Sequence, residues 1–191
     1  MALPLRHHAG IPGGGSQQVE SRYGTIEISS RDARFAVKCF PRMAHTYYSL
    51  LVHCVFSTKD RQRLIAPHLQ ADLWSYMGGI ARTIGTKALV IGGMDDHSHM
   101  LLSLPAAMAV AKAVQQIKAG SSLWLRTEQS RHNFNWQEGY GAFSIGKSQV
   151  TATVNYVVRQ EGHHRKFDFQ TEFLTLLKKY EIDCDPQHLW D

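Results

Sequence analysis

Cysteine is scarce and badly placed for cross-linking. The three in 191 residues, Cys39, Cys54 and Cys184, are far apart, odd in number and without a CxxC pair. That argues against a disulfide framework or a cysteine-rich zinc site, and makes a reducing cytoplasm the natural setting. Long apolar runs are missing too. No stretch approaches the ~18 residues a transmembrane helix needs. The N-terminus lacks the apolar region of a secretory signal, so neither a membrane nor export is expected. Nor is there a strong charge bias. The net charge is +5, and residues 1–43, with six Lys/Arg against three Asp/Glu, supply most of it. Such a surplus permits an anionic partner such as nucleic acid without arguing for one.

What is present fits one globular domain with a real core: 43% hydrophobic and 19% charged residues. Residues 1–43 stand apart. They hold His7-His8, a Gly13-Gly14-Gly15-Ser16 stretch and no sustained apolar period, so they read as a flexible extension. They are either a genuine tail or the product of a start placed upstream of Met43. Residues 44–185 read as the domain and 186–191 as a tail. Within the domain, residues 46–57 are apolar on both faces, as in a central strand. Pro67 can open a helix on which Leu69, Leu73, Met77, Ile80 and Ile84 recur at helical spacing. Strands are expected over 87–92 and 97–104, the second ending before Pro105, with Asp95-Asp96 as the turn between them. A helix over 108–126 follows, then loop and a short strand over 134–145, then helices over 148–161 and 168–180. The order β-α-β-β-α-β with added C-terminal helices predicts an α+β, ferredoxin-like antiparallel sheet.

Two constellations carry chemistry. His97-Ser98-His99 lies on a strand, where residues i and i+2 share a face. The pair either chelates one cation or marks a solvated strand end, and imidazole alone does not choose a metal. Tyr156 and Gln160 lie four apart on a helix and share a face. The stripe Val150, Val154, Val157 and Val158 is expected to face the core, so Tyr156 points away from it, into solvent or into a site. His53, in mid-strand, reads as a satisfied core histidine, and Asp95 and Asp96 read as turn residues in preference to carboxylates that orient the histidines.

A competing motif is present. Gly141 to Ser148 satisfies G-x-x-x-x-G-K-[ST]. However, Phe143 and Ile145 alternate as in a strand, and no later strand ends in a Walker-B aspartate. Lys147 and Ser148 instead open the tyrosine helix, with Ser148 as its cap. Basic residues (Lys59, Arg61, Lys118, Arg126, Arg131, Arg159, and the run His163-His164-Arg165-Lys166) are either solvated charge or a groove that tracks phosphates, with Trp136 or Tyr140 as stacking surfaces.

Taken together, these pieces match a family. Thr58-Lys59-Asp60-Arg61, His97-Ser98-His99, Trp136-Gln137-Glu138-Gly139-Tyr140-Gly141 with Phe143, and Tyr156-x-x-x-Gln160 resemble, in that order, the single-tyrosine HUH transposases of the smallest bacterial insertion sequences. The resemblance spans residues 45–185. It implies that Tyr156 is the nucleophile on single-stranded DNA, and that His97 and His99 hold a divalent metal, Mg²⁺ or Mn²⁺, with Gln160 as third ligand. It also implies hairpin-containing element ends as substrate, a homodimer in which a tyrosine helix can serve the partner's histidines, and a place in the bacterial cytoplasm near the nucleoid. Related nicking enzymes and non-cleaving DNA-binding relatives are the alternatives. Ser98 departs from the bulky apolar residue usual at the centre of the HUH motif. It is expected to point away from the metal face, so the departure affects packing more than ligation.

Overall fold

The computed structural model describes residues 17–21, 24–28, 47–164, 168–185 and 189. Contacts divide the chain into residues 1–47 and residues 48–191. In the first unit, β1 (Gln17–Ser21) pairs antiparallel with β2 (Gly24–Ile28), Gln17 opposite Ile28. Nothing in the sequence reading anticipated this ribbon. Its apolar alternation amounts to Val19 on one strand and Ile26 and Ile28 on the other, too short a pattern to register as a period.

The second unit runs β3 (Leu51–Ser57), α1 (Pro67–Thr83), β4 (Lys87–Gly93), β5 (His97–Ser103), α2 (Val110–Thr127), β6 (Gly141–Ser144), α3 (Val150–Val158), α4 (Gln160–His164) and α5 (Phe169–Lys179). The sheet order is β4-β5-β3-β6, with every neighbouring pair antiparallel. The first and third strands of a β-α-β-β-α-β unit therefore lie at the centre, and the α+β ferredoxin-like fold is the one expected. β3 pairs only from Leu51, because β5 ends at Ser103 just ahead of Pro105. Tyr47 and Tyr48 before it are exposed.

Strand alternation divides the sheet into two chemically different faces. Cys54 and Phe56 of β3, with Met100 and Leu102 of β5, pack against Leu69, Leu73, Met77 and Ala81 of α1 and Ala113, Val114, Ile117 and Leu125 of α2. These helical residues recur at i, i+3 and i+4, so each helix offers one apolar stripe. On the other face, Val55 and Phe143 meet Phe169, Phe173 and Leu177 of α5, and buried histidines occupy the remaining positions.

The helices on the histidine face come close because two strand residues are glycine. A Cβ on Gly92 would lie 2.9 Å from the Val157 carbonyl oxygen of α3, and one on Gly141 would lie 2.6 Å from the Phe173 ring of α5. Both are below contact distance, so any side chain here would push a site helix off the sheet.

The P-loop reading fails structurally. Gly141–Ser144 is β6, hydrogen-bonded to β3 in register with Val52 to Val55, which leaves no open loop to cradle a phosphate. Ser148 does not cap α3 as expected. It lies inside a 3₁₀ turn, Lys147–Gln149, which is closed by the Gln149 side-chain oxygen accepting from the Gly146 N–H at 2.9 Å.

Candidate functional site

β5 delivers two histidines to one face, as its alternation requires: His97 and His99 are both fully buried, opposite Ser57 and Val55 of β3. Between them, Ser98 turns to the other side, where its hydroxyl donates to the Gly92 carbonyl at 3.2 Å.

Each histidine is oriented through Nδ1. Asp96 Oδ1 lies 2.6 Å from His97 Nδ1, and His53 Nε2 lies 3.0 Å from His99 Nδ1. One expectation is corrected here and one is met with an addition. Asp96 is more than a turn residue, because its carboxylate faces the His97 imidazole. His53 is a core histidine whose partner is the site itself, and its ring is stacked on His99. Asp95, by contrast, pairs with Arg63 at 3.7 Å. With protons on both Nδ1 atoms, each Nε2 lone pair is left to point inward, the arrangement metal-ligating histidines adopt. Burial lowers the pKa of His53 to about 3 and of His99 to about 4, so both are neutral near pH 7, the state in which imidazole can ligate.

The two Nε2 atoms face a residue that sequence reasoning missed. Glu172 of α5 is 3% exposed, and its Oε2 lies 3.3 Å from His99 Nε2, 3.8 Å from His97 Nε2 and 3.1 Å from His164 Nε2. Its Oε1 accepts from the Tyr156 hydroxyl and, at 3.0 Å, from the Gln160 amide. Burial alone would raise this carboxyl, but the hydrogen bond from His164 and the imidazole of His99 beside it hold it far below the usual carboxylate range. The available signal was a glutamate set within the apolar stripe Phe169, Phe173, Leu177. In the sequence His164 is only one basic residue in a run.

Tyr156 is half-buried. It points into this cluster and not into solvent, with its ring edge against His53 and His99, centroids 6.1 and 5.7 Å away. Of the valine stripe only Val157 is buried, and Val158 is 70% exposed, so the helix face was misjudged by about one residue. Burial first, then the charge of Glu172, pushes the phenol well above its ordinary pKa. Gln160 begins a new helical segment after a break at Arg159. It is still brought beside Tyr156, with its Oε1 3.4 Å from His97 Nε2. Within one chain, therefore, α3 presents Tyr156 to that chain's own histidines.

The donor set fits a cation. His97, His99, His164 and Glu172 each offer one ligand atom, all within 4.8 Å of one another. His99 Nε2 is buried with no well-aligned hydrogen bond. With its Nδ1–H donating to Asp96, His97 sets its Nε2 lone pair against the Gln160 and Glu172 oxygens, an arrangement a shared cation satisfies. Beside Tyr156 opens a cleft of about 450 Å³, bordered by His53, Gln149, Thr153, Thr171, Thr175 and Lys179.

The expected basic groove is only partly formed. Lys118 donates to the carbonyls of Gln137, Glu138 and Gly139 at 2.6, 3.0 and 3.0 Å. That uses all three of its N–H groups, so it pins the WQEGYG stretch and leaves none for a phosphate. Arg126 holds the same segment through the Phe134 carbonyl and the Asn135 side chain. Trp136 is a core residue, 7% exposed, that donates to the Ser121 hydroxyl at 2.9 Å and so offers no stacking surface. Tyr140 packs partly buried against the same core. Lys59, Arg131 and Arg159 are exposed, and Arg61 rests against Gln170 of α5. Arg165 and Lys166 lie outside the described residues. Among the described residues, no helix is long and apolar enough to cross a membrane.

No curated protein matches the chain. Several solved structures resemble it, two of them as follows. One is a candidate transposase from Deinococcus radiodurans R1, 18% identical with a TM-score of 0.49 over 61% of this chain and 95% of that one. The other is a REP-associated tyrosine transposase bound to a REP hairpin, 15% identical with a TM-score of 0.48 over 63% and 73%. Residues 46–160 match the family described as IS200-like transposases, and with the sheet order, the histidine strand and the tyrosine helix all in place, the chain belongs to that family.

Proposed function

We propose that the protein cleaves and rejoins single-stranded DNA through a 5′-phosphotyrosine on Tyr156, in a metal-dependent reaction, with hairpin-bearing element ends as substrate and a homodimer as the working form. One observation carries this reading: the Tyr156 hydroxyl and the Nε2 atoms of His97 and His99 converge on a single carboxylate, that of Glu172. A nucleophile and a cation-binding pair therefore face the same point.

The tyrosine oxygen attacks phosphorus, the bond from phosphorus to the upstream 3′-oxygen breaks, and that oxygen leaves as a 3′-hydroxyl. A later hydroxyl reverses the exchange, and since one phosphoester replaces another, no nucleotide fuel is consumed. A divalent metal on His97 and His99 would act as Lewis acid toward a non-bridging phosphate oxygen and offset the negative charge beside the phenol. His53 and Asp96 hold the two imidazoles in the ligating tautomer, and Gln160 steadies Glu172. The cleft beside Tyr156, with its hydroxyls and Lys179, gives a strand room to reach the phenol. Exposed Lys59, Arg131 and Arg159, with Arg61, are the proposed phosphate contacts.

The non-cleaving alternative draws on the raised pKa of the Tyr156 phenol, and one experiment separates the two. Labelled single-stranded DNA carrying a hairpin is incubated with the protein and Mg²⁺ or Mn²⁺, then run on a denaturing gel. Wild type and Tyr140→Phe are expected to give a covalent adduct and Tyr156→Phe none, with a stability cost near ~1 kcal/mol for the lost hydrogen bond. An undiminished adduct in Tyr156→Phe moves the nucleophile elsewhere, and no adduct in wild type favours the binding-only reading.

A further inference from the structure

The match to the family ends at Gln160, yet two of the four residues around the buried cluster come after it. His164 ends α4 and Glu172 lies on α5. We infer that His164 and Glu172 are metal ligands, and that with His97 and His99 they form a closed, four-ligand site for a nitrogen-preferring ion of the Zn²⁺ class, Gln160 serving outside the ligand set. The inference rests on the proposed function only for the metal-binding role of His97 and His99.

Three observations carry it. The first is spacing. A tetrahedral site with bonds of about 2.0–2.1 Å has ligand atoms roughly 3.3–3.4 Å apart. Glu172 Oε2 stands 3.1, 3.3 and 3.8 Å from the Nε2 atoms of His164, His99 and His97, and all four ligand atoms lie within 4.8 Å of one another, so a small contraction closes them on one ion. The second is chemistry. Three imidazoles and one carboxylate suit zinc, whereas Mg²⁺ prefers oxygen and keeps several waters. The Mg²⁺ or Mn²⁺ expected from two histidines and an amide belongs to the site as it stands without α5. The third is the division of labour within Glu172. Oε2 faces the three imidazoles, while Oε1 accepts from Tyr156 and from the Gln160 amide. The Gln160 carboxamide nitrogen donates to the carboxylate and holds it for ligation, while the Gln160 oxygen lies beside His97 alone, 3.4 Å from its Nε2.

This arrangement has a consequence for the fold. α5 otherwise rests on the sheet through Phe169, Phe173 and Leu177, and an ion shared between β5 and α5 clamps it there. An ion held by four protein atoms has no open position, so a phosphate oxygen gains access only when a ligand leaves. Glu172 also accepts a hydrogen bond from the Tyr156 hydroxyl, so its departure would open the metal and free the phenol together.

The test uses the full chain, stripped of metal and titrated with Zn²⁺ and, separately, Mg²⁺ against a competing chelator. Co²⁺ absorption reports coordination number, and the melting temperature is followed with and without Zn²⁺. Wild type is expected to bind Zn²⁺ far more tightly than Mg²⁺, show the intense visible bands of four-coordinate Co²⁺, and melt higher with Zn²⁺. Glu172→Gln keeps the shape of the side chain, and His164→Ala alters a largely buried residue. Each should weaken Zn²⁺ binding by about 100-fold or more, since even residues outside the ligand shell cost 10–100-fold, and each should lose the four-coordinate spectrum. If both variants bind Zn²⁺ as wild type does while His97→Ala does not, the four-ligand site is overturned and the histidine pair stands. If His97→Ala also binds unchanged, the metal reading of the proposed function fails with it. Equal affinity for Mg²⁺ and Zn²⁺ in wild type overturns the ion class.

Discussion

The two faces of the sheet are cut from the same strands and do opposite things. Along β3 and β5, Cys54, Phe56, Met100 and Leu102 point to α1 and α2 and meet mainly apolar neighbours. One residue along in each case, His53, His97 and His99 point to α3 and α5 and meet Tyr156, Gln160, His164 and Glu172. Burial is as complete on the polar side, where His97 and His99 are 0% exposed. The first face is held by area removed from water, which needs no geometry beyond close packing. The second must satisfy every donor and acceptor, or recruit a cation, because an unpaired buried polar group costs about 1–3 kcal/mol. Stability and chemistry are thus separated by a single Cα–Cα step.

That separation can be broken from either side. The largest effect is expected for His99→Ala. Metal-dependent adduct formation should vanish on the denaturing gel while the circular dichroism of the folded chain persists, and full activity in excess EDTA would remove metal from the reaction. On the opposite face, Met100→Ala should cost about 2–5 kcal/mol in a urea melt, as buried large-to-small changes do, with adduct yield per folded molecule retained. A matching fall in specific activity would show that the faces are coupled. Gly92→Ala sharpens the comparison, since its Cβ would press on the Val157 carbonyl and displace the tyrosine helix from the sheet. Activity should drop roughly 10²-fold, the cost of a misplacement near 1 Å, with a smaller change in melting.

The smallest effect concerns pH. His53 is held near 3 in the folded chain by burial, against 6.5 when unfolded. Between those values the unfolded state binds the extra proton, so stability rises with pH across the window and is lost on acidification below about 6.5. Each such histidine contributes a slope of about 1.4 kcal/mol per pH unit at most. Melting curves in EDTA from pH 7 to pH 4 should therefore be less steep for His53→Phe than for wild type, and equal slopes would remove His53 from the linkage.

Much of the fold was legible because the features that specify it are local and periodic. Two-residue alternation marks β5 and the i, i+4 apolar spacing marks α1, and both hold whatever lies across from them. The family motifs were equally plain, since they sit at fixed offsets along the chain. The errors share a cause. Lys118 and Arg126 look like groove cations in a string of letters, and their engagement with residues 134–139 appears only once α2 and that segment are adjacent. Trp136 reads as a stacking platform until Ser121 and Phe56 are placed beside it. The helix face of Tyr156 slipped because four valines crowd nine residues, and only packing on Gly92 selects Val157 as the buried one.

From the chain alone, then, came the order of elements, the shared face of His97 and His99, and the pairing of Tyr156 with Gln160, because spacing along a regular element settles direction without reference to anything else. The place of Glu172 and His164 came from tertiary contact. They lie 73 and 65 residues beyond His99 on separate helices, and no local rule of spacing relates a helix to the strand it will cover. Packing brings them there: Phe169, Phe173 and Leu177 bury themselves against Val55 and Phe143, and the glutamate carried on the same stripe is turned toward the histidines, Tyr156 and Gln160.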